Sequence, residues 1–182
     1  DLVRIACVTD GSSTQYAGDA AIRRQKEAEA RAAAAVLGVA DYHHHDLPDM
    51  RLDTVAHVEV NAVVEGHVGD HRAEIVYCVH PDVNLDHRAL FDSVAVATRP
   101  VPGQTVRRVL TYAPLSSTEW TPAATSWWRP NWFVDVSATL ERKLEAFRCY
   151  RSEWRDPPHP RNDRALRLHA EYHGTIIGTA AA

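Results

Sequence analysis

The chain has 182 residues, 45% of them hydrophobic, so it can bury one sizeable core but is too short for two ordinary domains. Its 20 Lys and Arg against 24 Asp and Glu give a net charge of −4, which argues against binding to nucleic acid or anionic lipid. No apolar run approaches the roughly 20 residues that span a bilayer, and residues 1–4 lack the features of a signal peptide. We therefore expect a single cytoplasmic domain over residues 1–182.

The cysteines and histidines bear on redox state and chemistry. Cys7, Cys78 and Cys149 form no C-x-x-C pair, and any disulfide scheme leaves one of them over, so we expect reduced thiols. The eleven histidines are many for this length, which indicates metal or acid-base chemistry.

Predicted strands and helices alternate throughout the chain. Residues 2–9 form a continuous run rich in β-branched side chains, typical of a strand buried on both faces. Residues 19–37 contain good helix formers without a breaker, and Gly38 follows where a left-handed cap belongs. The further elements are a strand at 42–45, a helix at 52–67, a strand at 73–79, a helix at 87–98 and a strand at 106–112.

The pattern changes beyond residue 112. Residues 113–131 read as a long loop with several prolines and tryptophans, of the kind that often forms a substrate wall. A last strand is predicted at 132–136. Ser137 is predicted to cap a helix that runs to about Trp154, and a final helix follows a proline-rich stretch.

This alternation predicts an α/β fold with a mainly parallel sheet, in which ligands bind beyond the carboxyl ends of the strands. The rule selects three loops, at residues 9–11, 46–51 and 80–87. In the third loop His87 could ligate zinc, with Asp86 or Asp82 as the carboxylate that fixes its tautomer. The spacing alone favours a structural interpretation, in which Asp86 only caps the following helix and His87 is an exposed first-turn residue.

Five short motifs, spread over nearly the whole chain, form an ordered set. They are Val8-Thr9-Asp10-Gly11, the helix end at Gly38, Leu-Pro-Asp-Met-Arg-Leu-Asp at 47–53, Asn-Leu-Asp-His-Arg at 84–88, and Ser-Ser-Thr-Glu-Trp at 116–120. In this order and at these separations they resemble the PIG-L/LmbE-like zinc-dependent de-N-acetylases. The resemblance implies a Rossmann-like three-layer α/β/α fold and the removal of an acetyl group from an N-acetylated amino sugar or glycoconjugate, such as an N-acetylglucosamine derivative.

The resemblance also implies catalytic roles. His87 matches a zinc ligand of the family, and Asp86 matches an aspartate that supports neighbouring imidazole chemistry. Asn84 stands where many members carry a histidine that stabilises the tetrahedral intermediate; an asparagine can donate a hydrogen bond there but cannot transfer a proton. His80 is a candidate substitute.

Candidate substrate contacts come from other parts of the chain. By resemblance, Asp49 is a sugar-hydroxyl contact, and Arg24 near the start of the first helix is another substrate contact. Asp10 follows the first strand, and Glu119 lies beside Trp120 and near Trp127 and Trp128, whose faces could stack on a sugar ring or cover a sheet edge.

One departure from the family pattern is large. The family's His-Pro-Asp-Asp-Glu segment, which carries two zinc ligands and the general base, has no counterpart, and the sequence starts at the match to the family's second strand. The first strand and helix are therefore expected to be missing. We expect the printed chain to fold poorly alone and to lack activity unless that segment is present or a second copy, in a homo-oligomer, fills the gap.

Three functions remain open on the sequence. The leading one is a zinc-dependent de-N-acetylase, in which a metal-activated water attacks the acetamide of a small-molecule substrate. The alternative is a metal-free relative that binds a sugar or nucleotide without hydrolysis. A mononucleotide-binding module ranks last, because no glycine-rich phosphate loop follows a strand.

A separate tract of three histidines, His43-His44-His45, looks like a metal-binding sequence. Alternate side chains of a strand point to opposite faces, so at most His43 and His45 could share a site. Packing at a strand edge is the favoured interpretation.

Overall fold

A computed structural model describes residues 2–122 and 128–182. The chain divides into two compact units, each made of separate segments. The first unit comprises Asp1–Ile5, Arg24–Tyr42 and Arg129–Ala182, and the second comprises Ala6–Arg23 and His43–Trp128.

Strands and helices alternate through the first two thirds of the chain, as predicted. The strands are β1 (Arg4–Thr9), β2 (Asp41–Leu47), β3 (Ile75–Val79) and β4 (Arg108–Tyr112). The helices are α1 (Ala20–Leu37), α2 (His57–His71), α3 (Leu85–Ala97), α4 (Leu140–Arg148) and α5 (Asp163–Ile177), with short 3₁₀ turns at Leu52–Thr54 and Thr118–Trp120. The fold is therefore mixed α/β.

The described strands pair in two short sheets, β1 with β2 and β3 with β4. β3 and β4 are parallel, in a register that runs from Ile75 opposite Arg108 to Val79 opposite Tyr112. Because parallel strands end at the same edge, the loops after β3 and β4 meet there. This meeting of loops forms the site described below.

Helices α2 and α3 pack with the strands of the second unit around two groups of buried side chains. One group joins Val64 and Val68 of α2 to Cys78 and Val79 of β3 and to Val94 of α3. Burial of each valine contributes about 1.5–3 kcal/mol relative to exposure.

The other group is smaller and lies closer to the loop after β2. It consists of Val8, Leu52 and Val60, all at most 7% exposed, with Leu90 of α3 packed against it. Leu52 belongs to the loop that follows β2, so its burial fixes that loop between α2 and α3. A rigid loop of this kind can position functional groups.

In the first unit, α4 and α5 share a core of Leu140, Leu144, Ala170 and Ala181. The chain end folds back onto α5 at Gly174, where an added Cβ would lie 2.7 Å from the main-chain nitrogen of Ala181. Only glycine allows this close approach of two backbone segments.

The boundaries of α1 agree with the sequence prediction. The Asp19 carboxylate accepts hydrogen bonds from the N–H groups of Ala21 and Ile22, and Gly38 has a φ of +78°. A side-chain acceptor at the start and a left-handed residue after the end are the local signals that define a helix.

The predicted helix at 52–67 is wrong at both ends. Residues 52–54 form a 3₁₀ turn, Val55 is extended at φ −86° and ψ 139°, and α2 begins only at His57. At the other end α2 continues to His71, where Arg72 adopts the left-handed conformation and its N–H bonds to the carbonyls of Val68 and Gly69. The fixed position of Leu52 prevents an earlier helix start.

The predictions for residues 132–154 are also partly wrong. Residues 132–136, all within the described part of the chain, form no strand; the N–H of Val136 instead bonds to the carbonyl of Ala181 at the chain end. Ser137 does not cap α4, because its hydroxyl donates to Asp135. The helix starts at Leu140 and ends at Arg148, six residues before the expected end at Trp154.

In the described ranges, no helix has both the length and the apolar character that crossing a bilayer requires.

Candidate active site

A buried carboxylate is the centre of the loop that follows β3. Asp82 has no solvent exposure. Its Oδ1 accepts from the N–H of Asn84 at 2.9 Å and from Nδ1 of His87 at 2.8 Å, and its Oδ2 accepts from the hydroxyl of Thr118 at 2.9 Å. Three donors from two loops therefore satisfy a group that would otherwise be costly to bury.

These donors keep Asp82 ionised. Burial by itself raises the pKa of this carboxyl, but the hydrogen bond from the Asn84 N–H and the nearby His87 imidazole outweigh it and lower the pKa. Asp82 thus carries a negative charge at neutral pH.

The Asp82 charge fixes the tautomer of His87. A carboxylate can only accept, so the hydrogen of the neutral imidazole is on Nδ1 and the lone pair on Nε2. The amide nitrogen of Asn84 lies 3.4 Å from that Nε2. Asn84 is held in this orientation because its Oδ1 caps α3 by accepting from the N–H of Asp86 at 2.9 Å. The helix cap is Asn84, not Asp86.

The Asp86 carboxylate makes its hydrogen bonds to the loop after β2, and its support of imidazole chemistry stays a prediction. Its Oδ2 accepts from the N–H of Met50 at 2.6 Å and its Oδ1 from the N–H of Leu52 at 2.9 Å. Both oxygens are thus occupied by the loop after β2, and the carboxylate beside His87 is Asp82. Asp86 is 8% exposed and joins that loop to the first turn of α3.

Asp49 lies among hydroxyl groups from the loop after β1. Thr9 donates to its Oδ1 at 3.3 Å, Ser13 accepts from its N–H at 2.9 Å, and Thr14 donates to its carbonyl at 2.5 Å. The loops after β1 and β2 are therefore held together around a carboxylate.

Asp10 closes the turn that presents those hydroxyls. It is buried, and its Oδ1 accepts from the N–H groups of Ser12 and Ser13, each at 2.9 Å. Burial raises the pKa of this carboxyl, and the two N–H donors reverse the effect and lower it. In the structure the Asp10 carboxylate therefore stabilises the turn of its own loop.

Glu119 likewise holds its own loop. Its carboxylate accepts from the N–H of Ser116 at 2.5 Å and of Ser117 at 3.2 Å, and Ser116 has a left-handed φ of +71°. The same loop bonds to the one after β3, because the hydroxyl of Thr121 accepts from the N–H of Val83 at 2.8 Å.

His80 follows β3 directly, and its N–H bonds to the carbonyl of Tyr112 at the end of β4. Its ring packs edge-on against Trp128, with centroids 4.9 Å apart. Burial lowers the pKa of His80, although Asp82 opposes this, so the ring is neutral at neutral pH.

Trp120 is 57% exposed, and Trp127 lies outside the described residues.

Arg24 is exposed on α1 and belongs to the first unit, and its role stays a prediction. Sequence reasoning missed Thr118 and Thr121, whose hydroxyls join the loops after β3 and β4. The only local signal was the Ser-Ser-Thr-Glu-Trp motif, which contains Thr118 but does not reveal its partner.

The described side chains around His87 provide only part of a zinc site. His87 fits the position of one ligand, since a buried carboxylate orients its ring and keeps the hydrogen off Nε2, whose present partner is the Asn84 amide at 3.4 Å. Among residues 2–122 and 128–182, however, no three His, Cys, Asp or Glu side chains are grouped so as to hold a metal ion. These residues therefore do not make a complete zinc site.

The family model described as PIG-L: GlcNAc-PI de-N-acetylase matches residues 1–98, and the chain belongs to this family. The match includes the loops after β1, β2 and β3, with His87 and the four aspartates discussed above, Asp10, Asp49, Asp82 and Asp86. No curated protein matches the chain significantly.

Three solved structures share the fold over nearly the whole chain. The conserved protein TT1542 from Thermus thermophilus is 22% identical, with a TM-score of 0.75 over 99% of this chain and 78% of that one. The N,N'-diacetylchitobiose deacetylase from Pyrococcus horikoshii is 22% identical, with a TM-score of 0.66 over 99% and 70%. GalB, the 4-carboxy-2-hydroxymuconate hydratase from Pseudomonas putida KT2440, is 18% identical, with a TM-score of 0.68 over 97% and 77%.

Proposed function

We propose that the chain belongs to a zinc-dependent de-N-acetylase that removes the acetyl group from an N-acetylated amino sugar or glycoconjugate. The observation that carries the proposal is the hydrogen bond between the buried Asp82 carboxylate and Nδ1 of His87, in a chain of the PIG-L family. The deacetylase among the structures of similar fold supports it. Residues 1–182 are proposed to form one domain of Rossmann-like, three-layer type.

In this proposal His87 is one of the zinc ligands, and further ligands are required in addition to it. Zinc, when bound, supplies a Lewis acid and lowers the pKa of a coordinated water. Asp82 keeps the hydrogen of His87 on Nδ1 and so presents the lone pair of Nε2. Asn84 offers its amide N–H beside that nitrogen, and the neutral His80 is proposed to exchange a proton.

The remaining candidate residues have two proposed roles. Some contact the substrate, and the others position a loop of the site. Asp49 is proposed to bind sugar hydroxyls, because its carboxylate already accepts from a hydroxyl group. Arg24 is proposed as a second contact. Asp10, Asp86 and Glu119 are proposed as positioning residues, since each carboxylate accepts from main-chain N–H groups of a loop at the site.

The alternative function is a metal-free relative that binds a sugar or nucleotide without hydrolysis. The incomplete donor set of the described residues favours it. The hydratase among the structures of similar fold shows that one architecture can support different reactions.

Zinc content and acetate release test the proposal together. The purified protein, its intact mass recorded, is assayed for zinc per chain and for acetate released from N-acetylglucosamine and N,N'-diacetylchitobiose. We expect the parent to contain about one zinc per chain more than His87→Ala, and about a 10–100-fold loss of activity in Asp82→Asn. His57→Ala, which removes an exposed imidazole from the first turn of α2, is the control.

The opposite result is equally clear. A folded protein without zinc that releases no acetate after zinc is added would overturn the hydrolase proposal. Sugar-dependent stabilisation of that same protein would then support the binding alternative.

A further inference from the structure

A second group of imidazoles lies between β2 and α2, and the proposed reaction does not use it. The Nε2 atoms of His45 and His67 are 2.6 Å apart. The two rings are nearly perpendicular, with centroids 4.9 Å apart. The ring of His43 lies at the same centroid distance from His67, at an interplanar angle of 62°. All three side chains are half-buried and belong to the second unit.

The local structure explains why these rings meet. His43 and His45 are two residues apart on β2, so they share one face of the strand. His67 lies on α2 between Val64 and Val68, whose side chains are buried in the core. The packing of α2 therefore fixes where its imidazole lies, and α2 holds it against the histidine face of β2.

We propose that His45 and His67 form a binding site for a divalent transition-metal ion, zinc or copper, with water completing the coordination. Imidazole nitrogen is a ligand that both ions favour. The site has two protein ligands, His45 and His67.

Metal binding requires only a small movement of the two imidazole rings. Two metal–nitrogen bonds of about 2.0–2.1 Å at a tetrahedral angle place the nitrogens about 3.3 Å apart. The 2.6 Å separation must therefore open by less than an ångström, which side-chain rotation allows. Without metal, one Nε2 carries the hydrogen that bridges the pair. On binding, that hydrogen moves to Nδ1 of the same ring, so both Nε2 lone pairs become available without net loss of a proton.

The surroundings restrain the pair of rings. His43 packs edge-on against His67 and limits its rotation, which makes His43 a positioning residue.

Copper titration tests the site. Cu²⁺ is added to the purified protein in the His87→Ala background, which removes the proposed catalytic ligand, and binding is followed by calorimetry and by electron paramagnetic resonance. We expect one tight site whose spectrum shows two nitrogen ligands. His45→Ala and His67→Ala should each weaken that site at least about tenfold, and the double variant should lose no more than either single one.

His57→Ala in the same background is the matched control, because it removes one exposed histidine of α2 far along the helix from His67. Thermal unfolding establishes that each variant is folded, and Cu²⁺ should raise the Tm of the parent and the control but not of the two site variants. Equal copper affinity in parent, His45→Ala and His67→Ala, or equal loss in His57→Ala, would overturn the proposal. Neither result depends on de-N-acetylase activity.

Discussion

Asp86 accepts a hydrogen bond from the main chain of Met50, 36 residues earlier, at 2.6 Å. Met50 has a φ of +57°, a conformation that is unfavourable for a residue with a side chain. The second oxygen of Asp86 binds the N–H of Leu52, the buried residue that fixes the loop after β2. One carboxylate at the start of α3 therefore holds the strained loop that carries Asp49.

Asp86→Ala should destabilise the protein by about 1–3 kcal/mol, because it leaves two main-chain N–H groups without their acceptor. Asp86→Asn retains one acceptor oxygen and should cost less. The free energy of unfolding from urea denaturation measures both. Asp92→Ala, at an exposed position of the same helix, should change stability by less than about 0.5 kcal/mol. An equal effect of Asp86→Ala and Asp92→Ala would contradict this role.

Asp82→Asn should destabilise the protein at neutral pH by about 1.5–3 kcal/mol, because the buried hydrogen bonds lose their charge. The pKa of Asp82 is lowered in the folded state from its ordinary 3.8, so its charge stabilises the fold above that pH and this contribution disappears as pH falls through the folded pKa. The stability difference between the parent and Asp82→Asn should therefore shrink in acid. Urea denaturation at intervals from pH 7 to pH 3 measures it, and a constant difference would refute the assignment.

Two glycine substitutions should have opposite effects. Gly174→Ala places a Cβ 2.7 Å from main-chain atoms of Ala181 and Thr179, and we expect a loss of about 1–3 kcal/mol. Gly69→Ala lies in α2, where nothing is within 4 Å of the new Cβ, and should stabilise by about 0.5–1 kcal/mol. The Tm of each variant measures the effect, and a stable Gly174→Ala would exclude the close approach.

The three thiols should differ in reactivity. Burial raises the pKa of Cys78 to about 11, so at pH 8 only about one molecule in a thousand carries the thiolate. Cys7 and Cys149 are half-buried. Iodoacetamide labelling followed by mass spectrometry should modify Cys78 at least about 100-fold more slowly than either. In urea all three should react alike, and fast labelling of native Cys78 would show that the thiol is accessible.

The sequence predicts the parts of the fold that depend on local signals. The limits of α1 depend on Asp19 and Gly38, which lie in the sequence beside the helix they define. The loop after β3 is also located correctly, since it follows a recognisable strand. By contrast, residues 52–56 are not part of the predicted α-helix, because Leu52 is held by Asp86 and by a core formed from other elements. No local pattern contains that information.

The same limit applies to the site. The choice between Asp82 and Asp86 as the partner of His87 depends on where two loops meet, and the sequence left both open. Thr118 completes the environment of Asp82 from 36 residues away. His67 lies 22 residues from His45 and has no motif around it, so their contact becomes visible only when α2 is placed against β2.

The two hydroxyl bridges between the loops after β3 and β4 have a consequence for transplanting this region. Thr118 binds Asp82, and Thr121 binds Val83, so the second loop supplies hydrogen bonds that the first cannot replace by itself. A chimaera that receives only the segment around His87 would contain the Asp82 carboxylate without its hydrogen bond from Thr118. The two segments form one structural unit, so a segment exchange between relatives has to transfer both.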